Sequence, residues 1–206
     1  VGTMPGMSFE CYEEKHLVSN TFTKQDLSFD GWNTEADGSG ASYDDGQTVM
    51  NLSFDDEDVV TLYAQWRPIE YSVVFDANGG NGIMESQTMT CGISVPLDAN
   101  GFTKTGYVFA GWDTEADGSG TDYPDGQSVV NLVSVNNGSV TLYAQWVPIT
   151  YTVVFDANGG EGTMESQTMT YDAQSILDAN LFTKSDHSFK GWNTMADGSG
   201  VDYEDG

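Results

Sequence analysis

Apolar and polar residues alternate over Tyr71-Ser-Val-Val-Phe75, stop at Asp76-Ala-Asn-Gly-Gly80, and resume over Met84 to Thr90. The spacing predicts a strand, a turn that admits positive φ, and a second strand antiparallel to the first. Alternation breaks at Pro96, and Leu97 to Lys104 is read as one or two helical turns. Thr105-Gly106 supplies a turn, and Tyr107-Val-Phe109 returns to strand spacing and runs into Gly111-Trp112. A glycine before the tryptophan predicts a bulge or a close backbone approach. Ser128 to Leu132 reads as a further strand, Asn136-Asn137-Gly138 as a turn, and Val140 to Trp146 as the last strand. In that last strand Val140, Leu142, Ala144 and Trp146 share one face, the core face; Thr141, Tyr143 and Gln145 share the other. Phe102, Phe109, Trp112 and Trp146 are the expected heart of the unit.

The pattern recurs. Gly111-Trp112-Asp-Thr-Glu-Ala-Asp-Gly-Ser-Gly120 has counterparts beginning at Trp32 and Trp192, a constant offset of 80 residues. Phe22, Phe102 and Phe182 keep that offset, as do Tyr63 and Tyr143, and Cys11, Cys91 and Tyr171. A fixed period without insertions marks a tandem array. Its units are residues 1–66, whose opening strand is missing, residues 71–146, and residues 151–206, whose closing strands are missing. Val1 and Gly206 both fall inside a unit, so the sequence reads as a window of a longer protein. Linkers 67–70 (Arg-Pro-Ile-Glu) and 147–150 (Val-Pro-Ile-Thr) join the units. Proline fixes φ and extends its predecessor, so these joints are short and stiff and the array reads as an elongated, semi-rigid rod.

Charge narrows the partners. The chain of 206 residues carries 32 acidic and 6 basic side chains, a formal charge of −26. Such a surface repels nucleic acid and anionic membrane. Aromatic content of 12% marks a folded chain rather than an acidic tail, and no apolar run approaches a membrane span. Cys11 and Cys91 occupy the same slot of adjacent units, a module apart, so an internal disulfide is not expected. Their roles are semi-buried packing or a cross-link between chains.

The sharpest candidate chemistry lies in the Asp/Gly loop. Asp113-x-Glu115-x-Asp117-Gly118 resembles the first half of a calcium loop. The set of candidate ligands is Asp113, Glu115 and Asp117, with Asp37, Asp197 and Glu204 in the sister loops. Yet Met195, Pro124 and Asn33 each replace a ligand in a different copy. The alternative is a turn whose Asp side chains bind local backbone N–H groups. The tryptophans are read as core, with a carbohydrate platform as the alternative. His16 and His187 stand where the sister units carry Pro96 and Ile176, or Leu27 and Tyr107, so they are read as packing positions. No pair of carboxylates is set apart as acid and base, and no cofactor other than calcium is expected.

Tyr151-Thr-Val-Val-Phe155-Asp-Ala-Asn-Gly-Gly160, Phe109-Ala-Gly-Trp112 with its Ala-Asp-Gly-Ser-Gly turn, and Val140-Thr-Leu-Tyr-Ala-Gln-Trp146 together resemble the Listeria–Bacteroides repeat, the internalin-B-type B-repeat family. The resemblance spans nearly the whole chain. It implies β-grasp-like modules, an α+β and strand-dominated class with one short helical piece; an all-β module is the alternative. It further implies a stalk or adhesin segment of an extracellular, wall- or surface-attached bacterial protein, without catalytic residues. The expected partners are neighbouring repeats, a host or cell-surface protein or glycan, or other copies in a fibre; the incomplete end units prompt the variant in which such a fibre assembles by strand exchange.

Overall fold

The computed structural model describes residues 2–55 and 57–206. The architecture is strand-dominated, and no helix occurs among the described residues. In the second repeat Glu70–Asp76 lies between two partners. Gln87–Thr90 runs antiparallel to it, with Tyr71 opposite Met89. The first half of Gly138–Pro148 runs parallel to it, with Val140 opposite Val73 and Leu142 opposite Phe75. The sheet order is Asp122–Tyr123, Tyr107–Asp113, Gly138–Pro148, Glu70–Asp76, Gln87–Thr90. The first repeat has the three-stranded sheet Ser42–Tyr43, Leu27–Asn33, Tyr63–Pro68. Its register slips between Phe29 and Gly31. This is the bulge expected before the tryptophan. Gly31 has φ of 124° there, and a Cβ would stand 2.9 Å from the Tyr43 carbonyl oxygen. The third repeat pairs Thr150–Val153 with Gln167–Thr170 and Trp192–Asn193 with Asp202–Tyr203.

The expected helix at Leu97 to Lys104 is absent, which makes the described fold all-β rather than α+β. A helix over Leu97 to Lys104 would turn the Thr103 N–H onto the Ala99 carbonyl; that N–H instead donates to Asn81 O at 2.9 Å, and Asn81 N–H donates to Thr103 O at 2.7 Å. The groups before it are also held from outside. Leu97 N–H donates to Gln127 O at 2.9 Å, Asn100 N–H to Asp125 Oδ1 at 2.9 Å, and Asp98 N–H to Gln87 Oε1 at 3.1 Å. Gln87 Nε2 also donates to the Pro96 carbonyl at 2.8 Å, and Val95–Pro96 pairs with Ser128–Val129. Of the strand expected over Ser128 to Leu132 only Ser128–Val129 forms.

By compactness the chain divides into two units. One comprises Val1–Asp76, Met84–Asn100 and Trp112–Tyr143, and contains the first joint and the second Asp/Gly loop. Tyr71, Val73, Met89, Leu97, Trp112 and Leu142 are its most buried apolar side chains, at 0–2% exposure. Trp112 packs on Phe75 at 4.8 Å between ring centroids. In the first repeat Leu17, Trp32 and Val49 form a smaller cluster, closed by Phe22 and Phe29. The other unit comprises Ala77–Ile83, Gly101–Gly111 and Ala144–Gly206. There Phe109 and Trp146 meet edge-on at 5.7 Å, and the Trp146 indole donates to Ala77 O at 2.9 Å. Both rings are half-buried, so of the four expected core aromatics Trp112 and Phe102 are buried and the other two form a flank.

Candidate functional site

Two features recur in register: the Asp/Gly loops and the joints. In each loop the middle aspartate closes a local turn. Asp117 Oδ1 accepts from the Ser119 N–H at 3.1 Å and from its hydroxyl at 2.6 Å. Asp37 and Asp197 hold Ser39 and Ser199 in the same way. The serine hydroxyl, then its N–H, holds each carboxyl below the ordinary carboxylate range. These carboxylates are occupied by backbone and hydroxyl donors, the reading in which the loop is a self-bonded turn. Glu115 and Glu204 are exposed. Among the described residues no three or more His, Cys, Asp or Glu side chains gather as a metal cluster. The candidate ligands Asp113, Glu115 and Asp117, and Asp37, Asp197 and Glu204, are therefore not brought together as such a group in any of the three loops.

Asp113 differs from the rest. It is fully buried, its Oδ1 accepting from Glu115 N–H at 2.6 Å and Gly120 N–H at 3.0 Å. Asn33 stands in its place in the first loop and Asn193 in the third, with the same two acceptor bonds. Their amide nitrogens donate onward: Asn33 Nδ2 to Gly38 O, Gly40 O and Ser42 Oγ at 3.1, 3.2 and 3.0 Å, and Asn193 Nδ2 to Gly198 O and Asp202 Oδ1 at 3.3 and 2.8 Å. At position 113 an oxygen replaces that nitrogen, and Asp113 Oδ2 is buried without a hydrogen-bond partner. The alignment of columns shows Asn, Asp, Asn; what it does not show is that the side chain points inward.

The joints have a common plan. In the first, Ile69 N–H donates to Asp26 O at 3.1 Å and Ile69 O accepts from Cys91 N–H at 2.9 Å. In the second, Ile149 N–H donates to Gly106 O at 2.9 Å and Ile149 O accepts from Tyr171 N–H at 2.9 Å. One residue thus bridges the repeat before it and the repeat after it. Side chains reinforce both. Asn131 Nδ2 donates to Asp26 Oδ1 at 3.1 Å, and Gly92 N–H to Asn131 Oδ1 at 2.7 Å. Tyr107 donates its hydroxyl to Asp172 Oδ2 at 3.1 Å and meets the Tyr171 ring edge-on at 5.8 Å. That carboxylate raises the Tyr107 phenol above its ordinary value. The joint prolines mark these positions in the sequence, but nothing local in it discloses the two-sided bonding of the isoleucines.

The cysteines are both free, Cys11 exposed and Cys91 buried. Burial, and then the charge of Asp26, raise the Cys91 thiol. The histidines are exposed, contrary to the packing reading: His16 Nδ1 lies 3.0 Å from Thr48 Oγ1, and His187 Nδ1 lies 2.7 Å from Ser185 O. Trp32 and Trp112 are buried at 6% and 0% exposure, so neither offers an open face to a sugar.

Comparison with known proteins follows the same register. The Listeria-Bacteroides repeat domain matches residues 10–65, 71–145 and 151–206. A chain of Evansella cellulosilytica described as a Gly-rich membrane protein is 39% identical over 169 residues, 80% of this chain and 19% of its own. A second membrane protein of that organism is 33% identical over 160 residues, 73% of this chain and 22% of its own. Internalin H of Listeria monocytogenes is 30% identical over 125 residues, 59% of this chain and 20% of its own. The chain thus spans about a fifth of the length of the relatives it matches. No solved structure matches it. Three matches at the period read from the tryptophans cover nearly the whole sequence, and the chain belongs to the Listeria-Bacteroides repeat family.

Proposed function

We propose that this segment is a non-catalytic structural spacer, a semi-rigid stalk or fibre element of an extracellular, surface-attached protein, in which the 80-residue repeats act as modules. The observation that carries the reading is the doubly bonded isoleucine at each joint. A flexible linker leaves its backbone groups to water; Ile69 and Ile149 instead commit both theirs to the flanking repeats. The surface-protein family and the relatives described as membrane proteins and an internalin support an extracellular place. Adhesion to a host or cell-surface protein or glycan would belong to this segment or to a domain that it holds away from the surface.

Small-angle scattering tests the spacer. The longest dimension should grow in proportion when one more 80-residue unit is added to this chain. A dimension that fails to grow overturns the reading. Ile149→Pro, which deletes the N–H given to Gly106 O, should broaden the distribution of dimensions while each repeat keeps its tryptophan fluorescence.

A further inference from the structure

Asp113 invites a question beyond the spacer reading. Its Oδ2 is buried and has no hydrogen-bond partner. A buried carboxylate oxygen left alone is costly, and proteins resolve it by pairing the charge or binding a metal. What surrounds this atom follows from the sister loops, because the backbone framework is shared. Glu35 N–H and Gly40 N–H bond Asn33 Oδ1 as Glu115 N–H and Gly120 N–H bond Asp113 Oδ1. Ala41 N–H and Thr121 N–H bond Thr34 Oγ1 and Thr114 Oγ1, both at 2.9 Å. Gly38 N–H and Gly118 N–H bond Glu35 O and Glu115 O, both at 3.1 Å. The atom at this place in the first loop faces the carbonyl oxygens of Gly38 and Gly40. In the second loop those carbonyls belong to Gly118 and Gly120. All of these neighbours are acceptors. They suit the amide of Asn33 and give a carboxylate oxygen nothing to bond.

The cross-strand residue sharpens the case. Asn33 is paired with Ser42, Asn193 with Asp202, and Asp113 with Asp122. Only the second loop sets carboxylate against carboxylate, and like charges directly opposed are destabilising. We propose that the second loop holds one calcium ion between Asp113 Oδ2, the carbonyl oxygens of Gly118 and Gly120, and the Asp122 carboxylate. Calcium takes six to eight oxygen ligands in adaptable geometry, carboxylate and carbonyl alike. Asp122 is exposed, so water completes the shell from that side. Magnesium demands a stricter octahedron and suits this set less well. Two protein carboxylates make a weak site, with a dissociation constant on the order of 10⁻⁴–10⁻³ M, the range of extracellular calcium modules. The charge of −26 raises the cation concentration around it.

Calorimetric titration of the whole chain with calcium chloride, at ionic strength held constant with sodium chloride, tests the proposal. The expected result is one ion per chain and a melting midpoint that rises with calcium. Terbium in its place should luminesce through the adjacent Trp112. In Asp113→Asn the binding event and the midpoint shift should both vanish. That variant will fold, since asparagine already fills the position in the first and third loops. Asn33→Asp with Ser42→Asp should raise the stoichiometry to two, and no increase would overturn the pairing rule. Equal calcium binding by Asp113→Asn overturns the site, as does a response that magnesium at the same charge reproduces, the mark of a diffuse counterion layer. A midpoint that acid raises and calcium leaves unchanged would put a proton between the two carboxylates and overturn it too.

Discussion

The second and third repeats carry nearly the same opening sequence and differ in what covers it. Tyr71 is 1% exposed and Tyr151 is 48% exposed, although each sits opposite a methionine of an antiparallel partner strand. Trp112 is wholly buried, whereas Trp192 is half-buried while packing on Phe155 at 4.6 Å and Phe189 at 4.8 Å. The second repeat has Gly138–Pro148 laid parallel along Glu70–Asp76, with Leu142 wholly buried opposite Phe75. Tyr151, Phe155, Phe182, Phe189 and Trp192 line an open groove. Local pattern forms the hairpins and turns of both repeats, and in the second the parallel strand sets Leu142 into the core beside Phe75.

Substitution at the two tryptophans tests that division most strongly. Trp112→Ala empties a fully enclosed ring site and should cost about 3–5 kcal/mol, read from denaturant unfolding of the whole chain. Trp192→Ala removes a ring that already borders solvent and should cost less than about 2 kcal/mol. Equal costs would mean that the closing strand adds little, and the contrast in burial would lose its energetic meaning.

A smaller contrast lies at the tyrosine hydroxyls. Tyr71 OH lies 3.5 Å from Met89 Sδ and accepts the Leu132 N–H at 3.3 Å, so Tyr71→Phe leaves a part-buried N–H without that acceptor. The expected cost is about 1–3 kcal/mol. Tyr151 OH contacts Met169 Sδ at 3.5 Å and is half-exposed, so Tyr151→Phe should fall within about 0.5 kcal/mol of the parent. If the two variants melt alike, the bond to Leu132 is not formed in solution.

Much of this was legible along the chain. The period of 80, the strand at Tyr71 to Phe75, the bulge glycine and the inward set Leu142 and Ala144 all follow from short-range pattern. The helix at Leu97 did not survive, because Asn81, 22 residues earlier, takes the Thr103 N–H that a helix would keep for its own carbonyl. For the candidate site the sequence located the loop and supplied the self-bonded alternative that Asp117 adopts. It also placed Asp113 and Asp117 on an equal footing, although one is buried and the other exposed. Spacing between residues carries no information on which of two carboxylates the loop folds around. The parallel register of Val140 with Val73 was hidden for a like reason, since 67 residues separate the partners.

The finest test asks where the contrast between the repeats should disappear. Asp117 and Asp197 each hold a serine two residues ahead, with N–H distances of 3.1 and 3.0 Å and hydroxyl distances of 2.6 and 2.7 Å. Nothing in that turn depends on a closing strand. Both carboxyls are held below their ordinary range by the serine hydroxyl and then its N–H. A carboxyl lowered in the folded state binds its proton later than the unfolded chain does, so the unfolded state carries more protons as acid is added. The stabilisation is full above the unfolded value and is lost as pH falls through the lower folded value. Carboxyl resonances followed by NMR should therefore show Asp117 and Asp197 titrating together, below an ordinary aspartate. Ser119→Ala and Ser199→Ala should bring each back by the same amount. A displacement present at Asp117 and absent at Asp197 would show that the closing strand organises even the turns, and the division between local and long-range structure would have to be redrawn.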